Sequence, residues 1–177
     1  MVGDAQGAAA QLAVVPVLEV AFPLAVPEDL DPLRDRRAPA CAALPANASG
    51  VLICQGGDFG GWTFYMLDGR PAYTYNWVGL EMYTVSARQK VPAGRHTITF
   101  DFAYEGGRGG GGTGTISRDG VTIGEGAIKR TNSNTFGIDE SADVGVDENT
   151  PVYPPYKNRD RFTGKIAKVT IETFPGR

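Results

Sequence analysis

The stretch Arg161-Phe162-Thr163-Gly164-Lys165-Ile166-Ala167-Lys168-Val169-Thr170-Ile171-Glu172, together with the acidic run at 138–152 that precedes it, decides how this chain is read. Phe162, Gly164 and Ile166 alternate on one face. Val169 and Ile171 resume the alternation after one extra residue, which is how a bulged strand in a curved sheet reads. The pattern predicts a β-sandwich with Phe162, Ile166, Val169 and Ile171 as core positions.

Upstream, the chain from Gly50 onward is a series of short strands punctuated by turn residues. Residues 51–55 are a short apolar run, and Gly56-Gly57-Asp58-Phe59-Gly60-Gly61 reads as a flexible turn before 62–67. Asp68-Gly69 joins that strand to 72–78, and Asp-Gly between alternating runs is a strong hairpin signal. In the second strand Tyr73, Tyr75 and Trp77 share an apolar face, while Thr74 and Asn76 share one that is wet or paired. Residues 80–87 continue the alternation, and Ile98, Phe100 and Phe102 mark the buried face of 96–103. Arg118-Asp119-Gly120 predicts a second hairpin between 113–117 and 121–125.

Residues 1–45 differ in texture, being rich in Ala, Pro and Val. Pro16, Pro23, Pro27, Pro32 and Pro39 exclude a long helix and a central strand, leaving short edge strands at 13–15 and 17–22. The expected organisation is a linker-like, partly irregular segment at 1–45 and one sandwich domain at 46–177. A chain of 177 residues is long enough for such a core. Its 24 glycines and 12 prolines suit strands joined by tight turns.

Net charge is −3 with the signs mixed, so no basic stripe is available to a nucleic-acid backbone, and nucleic acid is excluded as an expected partner. The most apolar stretch, 8–26, is interrupted by Gln11, Pro16, Glu19 and Pro23, so no membrane span is expected. It also lacks the basic flank of a signal peptide.

The candidate sites are few. Two cysteines cannot make a disulfide framework; a hairpin about Asn47-Ala48-Ser49-Gly50 would set Cys41 opposite Cys54, and the plainer reading is two buried thiols. Asn47-Ala48-Ser49 fits the glycosylation pattern, a match short enough to arise by chance. His96, the one histidine, opens a strand and reads as structural, because no serine sits in a Gly-x-Ser-x-Gly elbow. A zinc site built from His and Cys is starved of ligands. Residues 107–112 satisfy Gly-x-Gly-x-x-Gly, but Thr113-Gly114-Thr115-Ile116 continues as a strand and not as the helix that pyrophosphate requires, so a hairpin loop is expected.

Asp139, Glu140, Asp143, Asp147 and Glu148 crowd the acidic run. Calcium takes about six to eight oxygens, commonly from loop carboxylates and carbonyls, which makes Asp139, Glu140, Asp143 and Asp147 a candidate calcium site without EF-hand spacing. The competing reading is solvated carboxylates, or carboxylates paired with Arg130, Arg159 and Arg161. Among the aromatics, most fall at period two as core residues do, and Tyr83 and Tyr104 remain as candidates for stacking on a sugar ring.

Five stretches together carry a resemblance: Gly50-Val51-Leu52-Ile53 leading to Gln55-Gly56-Gly57; Phe59-Gly60-Gly61-Trp62; Tyr75-Asn76 followed by Gly79-Leu80-Glu81; Pro92-Ala93-Gly94-Arg95-His96-Thr97; and the acidic run with Phe162-Thr163-Gly164-Lys165-Ile166. In order and spacing they resemble the C-terminal domain of long bacterial arylsulfatases, over about residues 45–172. The resemblance implies an all-β fold, a jelly-roll sandwich of two antiparallel sheets similar to laminin-G and concanavalin A-like domains. It also implies a noncatalytic accessory role, with a sulfatase catalytic domain as partner, in the parent chain or in trans. The alternative is a stand-alone laminin-G-like module that binds carbohydrate. Sulfatase chemistry in that family needs a cysteine in Cys-x-Pro-x-Arg, oxidised to formylglycine. Cys41 is followed by Ala42-Ala43-Leu44 and Cys54 by Gln55-Gly56-Gly57-Asp58, so no catalytic residue carries over and this chain is not expected to be an enzyme. The resemblance implies a bacterial source and leaves cytoplasm and periplasm open.

Overall fold

The computed structural model describes residues 15–21, 44–106, 109–132, 142–148, 150–156 and 160–174, with backbone alone at 15–21, 173 and 174. Among the described residues ten strands follow in order: β1 Val15–Ala21, β2 Gly50–Gly57, β3 Gly60–Leu67, β4 Arg70–Trp77, β5 Glu81–Ser86, β6 Thr97–Tyr104, β7 Gly112–Arg118, β8 Val121–Ile128, β9 Ala142–Val144 and β10 Lys168–Phe174. They form two five-stranded antiparallel sheets, ordered β10-β1-β6-β7-β8 and β5-β4-β3-β2-β9, and pack face to face as a jelly-roll β-sandwich. Among the described residues no helix is long and apolar enough to cross a membrane.

The predicted hairpins form where the turn chemistry places them. Asp68-Gly69 connects β3 to β4 and Asp119-Gly120 connects β7 to β8, each pair holding positive φ at both central residues as a twisted two-residue hairpin requires. The glycine-rich stretch at 56–61 is less of a loop than expected. Only Asp58 and Phe59 lie outside the strands, and Gly56 pairs with Gly61. Gly112 opens β7 and pairs with Tyr104 of β6, so the described residues 109–111 belong to the β6–β7 connection.

Between the sheets lies the main core. Leu52, Phe64, Met66 and Tyr73 of the second sheet meet Ile98, Phe100, Ile116 and Ile128 of the first. The rings of Tyr73 and Phe100 stack across the gap at 3.7 Å between centroids. A second, smaller core lies on the outer face of the second sheet. There Val51, Cys54, Tyr65 and Ala72 are roofed by Val152 and Tyr156. A register shift between Val51 and Ile53 explains how β2 serves both: Leu52 and Ile53 both join the inner cluster, and Val51 and Cys54 face out.

Three expectations are corrected. β1 is not an edge strand; it lies between β10 and β6. Pro16 is tolerated because pairing with β6 covers only Val17–Ala21, so proline has a neighbour on one side alone. The stretch 161–166 is not the start of the last strand. It runs beside the start of β2 and the turn after β9, with Val51 N–H donating to Asp160 O at 2.6 Å and Phe162 N–H to Gly145 O at 2.8 Å, and β10 begins at Lys168. Phe162 is buried as expected, and Ile166 and Val169 pack at the core margin, but Ile171 is 46% exposed. β10 is an edge strand, and the opposite sheet ends in β9, three residues long, which leaves that part of β10 uncovered.

Candidate functional site

Register across the second sheet builds a polar row on its outer face. Cys54 of β2 pairs with Asp143 of β9 on one side and with Thr63 of β3 on the other; Thr63 pairs with Thr74, and Thr74 with Thr84. Directly opposed residues share a face and lie within side-chain reach. Thr74 and Thr84 satisfy each other through their hydroxyls at 2.8 Å, and Tyr65 adds its hydroxyl to Thr74 at 3.2 Å. Thr63 is fully buried, and its Oγ1 makes no hydrogen bond of ordinary geometry.

The chain leaves β9 through Gly145, whose N–H donates to Leu52 O at 3.1 Å, and this turn lays Asp147 over the row. Asp147 is only 6% exposed. Its Oδ2 accepts from Val152 N–H at 3.0 Å and from the Tyr156 hydroxyl, while Oδ1 is buried without a hydrogen bond of ordinary geometry. Half-buried Asp143 accepts Glu148 N–H at 3.2 Å. Cys54 is a free thiol whose Sγ lies 3.7 Å from Val146 O. One donor atom from each of Cys54, Asp143 and Asp147 lies within 4.8 Å of the other two.

Burial raises the Cys54 thiol far above its ordinary range, and the Asp147 and Asp143 carboxylates push the same way. Burial also raises Asp147, outweighing the Tyr156 hydroxyl, Val152 N–H and Cys54 thiol that donate to it, and Asp143 adds repulsion. The cluster therefore concentrates negative charge in a place that disfavours it, with the thiol holding its proton.

Two of the four residues nominated for calcium, Asp143 and Asp147, do come together; Asp139 and Glu140 lie outside the described residues. Sequence reasoning missed Cys54 and Thr63, because strand register joins them to the acidic run. Arg130 goes elsewhere, pairing with Glu81 at 3.1 Å and lying over the Trp77 ring at 4.5 Å, and Arg159 is outside the described residues. The sugar-stacking pair is not a surface platform. Tyr83 is 8% exposed, its ring in the main core and its hydroxyl bonded to Glu81. Tyr104 packs half-buried against the same core and accepts Gly110 N–H at 3.1 Å. His96 Nδ1 lies 2.7 Å from Asp119 Oδ2, tying the start of β6 to the β7–β8 turn. Cys54 has Thr63 and Asp143 as its strand neighbours on either side, and Cys41, its partner in the expected hairpin, lies outside the described residues.

No protein-family model matches the chain, and no curated protein matches it. Among solved structures it is similar to a native heptameric SAP-like pentraxin from Limulus polyphemus, at 10% identity and a TM-score of 0.48, covering 92% of this chain. The chain spans 66% of that pentraxin's length.

Proposed function

We propose that the chain is a noncatalytic accessory domain of the kind found at the C-terminal end of long bacterial arylsulfatases, docking on a sulfatase catalytic domain in its parent chain or in trans. Five sequence stretches in family order support the reading. The structural observation that carries it is an apolar patch at one end of the sandwich. Phe59, in the β2–β3 turn, is 89% exposed and Leu80, in the β4–β5 turn, 75%. Asn76 holds the two turns side by side: its Nδ2 reaches Asp58 O at 3.1 Å, and its Oδ1 accepts Gly79 N–H at 2.8 Å. Exposed Met82 is the register partner of Asn76 and extends the patch. Contiguous apolar surface on a fixed frame is what a partner surface needs.

The chain itself turns over no sulfate ester on this reading, since neither cysteine lies in Cys-x-Pro-x-Arg. The test is to express the parent's sulfatase catalytic domain as a separate polypeptide, mix it with this chain, and measure the complex by light scattering. A one-to-one complex that Phe59→Ser with Leu80→Ser abolishes is expected. Absence of a complex, or aryl sulfate hydrolysis by this chain alone, overturns the reading.

A further inference from the structure

We propose that Cys54, Asp143 and Asp147 form a binding site for a borderline divalent cation, with zinc as its representative, which staples the loop after β9 onto the outer face of the second sheet. The three ligands come from β2, β9 and the loop, and their donor atoms already lie within 4.8 Å of one another. Two observations independent of that proximity point to a missing partner. Asp147 Oδ1 and Thr63 Oγ1 are both buried without a hydrogen bond of ordinary geometry, the Cys54 thiol lying beside the Asp147 carboxylate and the Tyr156 hydroxyl beside Thr63. Oδ2 of Asp147 is held by Val152 N–H and the Tyr156 hydroxyl, an arrangement that fixes a ligating carboxylate and leaves Oδ1 as a donor.

The donor set chooses the cation. Calcium wants about six to eight oxygens and has no use for a thiol, whereas zinc accepts thiolate and carboxylate in a tetrahedral shell of about four ligands. Cys54, Asp143 and Asp147 supply three, and solvent the fourth. Zinc was excluded from sequence on the scarcity of His and Cys; carboxylates brought in by register make up the shortfall. On binding, the S–H bond breaks, the sulfur pair goes to the metal, and the proton passes to solvent, so affinity rises with pH. Without the cation the site holds two carboxylates beside a buried thiol; with it, the divalent charge offsets the thiolate and one carboxylate, so the net negative charge is halved. This inference stands apart from the accessory-domain reading, and either can fail alone.

The test is a titration of the chelator-treated chain with cobalt(II), which reports thiolate ligation by a charge-transfer band. One equivalent of cobalt should develop the band, and zinc should displace it. Cys41→Ser should keep the band and Cys54→Ser lose it. Asp143→Asn removes a ligand and should weaken cobalt by at least about tenfold, and Tyr156→Phe, a positioning change, should weaken it by about 10- to 100-fold. No band in the unmodified chain, a band that survives Cys54→Ser, or thermal stabilisation by calcium with none by zinc would overturn the proposal. If Cys54→Ser does not fold, half-buried Asp143 decides: unchanged cobalt affinity in Asp143→Asn overturns it.

Discussion

At the scale of single residues, Asn76 and Asp119 show polar side chains that set turns. Asn76 is fully buried and its Nδ2 lies between Gly57 O at 3.2 Å, Asp58 O at 3.1 Å and Val152 O at 3.2 Å, so one amide joins the β2–β3 turn, the β4–β5 turn and the roof of the outer core. Asn76→Ala strands several of these groups. It is expected to lower stability by at least about 2 kcal/mol in denaturant unfolding, since one stranded buried group costs about 1–3 kcal/mol. Asp119 gives a pH signature. Burial opposes its charge, but Thr97 N–H at 2.9 Å, His96 and Arg118 hold its carboxyl below the ordinary value of 3.8. With the folded value lower than the unfolded one, the folded state binds fewer protons between them. Its contribution is therefore present above pH 3.8 and is lost as pH falls through the folded value. Asp119→Asn keeps a residue that tolerates the turn's positive φ and removes the titration. Urea midpoints of the variant should fall less steeply than those of the parent in that acid range; parallel curves would refute the assignment.

At the scale of elements, the two hairpins share a turn type and differ in surroundings. A Cβ at Gly120, φ +79, would meet nothing within 4 Å, whereas at Gly69, φ +82, it would lie 3.2 Å from the Asn47 backbone. Gly120→Ala should therefore cost only the left-handed strain, about 1–2 kcal/mol, and Gly69→Ala measurably more in the same melts. Burial separates the two ends of the closing stretch in the same way. Phe162→Ala should cost about 3–5 kcal/mol, and half-exposed Ile171→Ala less than about 1 kcal/mol. The strands from β2 to β8 were legible because alternation and Asp-Gly turns are local signals. The interior place of β1 was not, since its partners β6 and β10 are remote in sequence and its proline argued for an edge. Thr74 and Asn76 promised a wet or paired face; they are paired, yet fully buried, because a segment about 75 residues downstream folds over them. The candidate site was half legible for the same reason. Asp143 and Asp147 stand out as charges, but Cys54 and Thr63 join them through the pairing of β9, β2 and β3. The signal left in the sequence was the succession Thr63, Thr74 and Thr84, one polar residue per strand at the same level of the sheet.

At the scale of the whole molecule, β2, β3 and β4 are buried on both faces, the inner one against the first sheet and the outer one beneath Val152 and Tyr156. Purely parallel sheets are ordinarily covered on both sides; an antiparallel sheet usually keeps one side in water, so the roof over this one is a specific feature of the chain. Tyr156 anchors the roof. It is fully buried and packs edge-on against Tyr65 at 5.4 Å and Tyr153 at 5.7 Å between centroids. Because the roof rests on the same three strands that form half of the main core, lifting it bares the outer face at the sheet's centre, including buried Thr63, Thr74 and Asn76. The two cores should then melt as one unit. Tyr156→Ala, measured in chelator, removes a ring from the smaller core and should lower the single transition by about 3–5 kcal/mol, the range for deleting a buried aromatic. Near-ultraviolet circular dichroism, in which the difference between the parent and Tyr156→Phe isolates the roof ring from the main-core aromatics, and far-ultraviolet circular dichroism, which follows the strands, should give coincident melts in the parent. A roof signal lost at lower temperature than the strand signal in the parent would mean that the outer core is an independent lid and that the sandwich is stable without it.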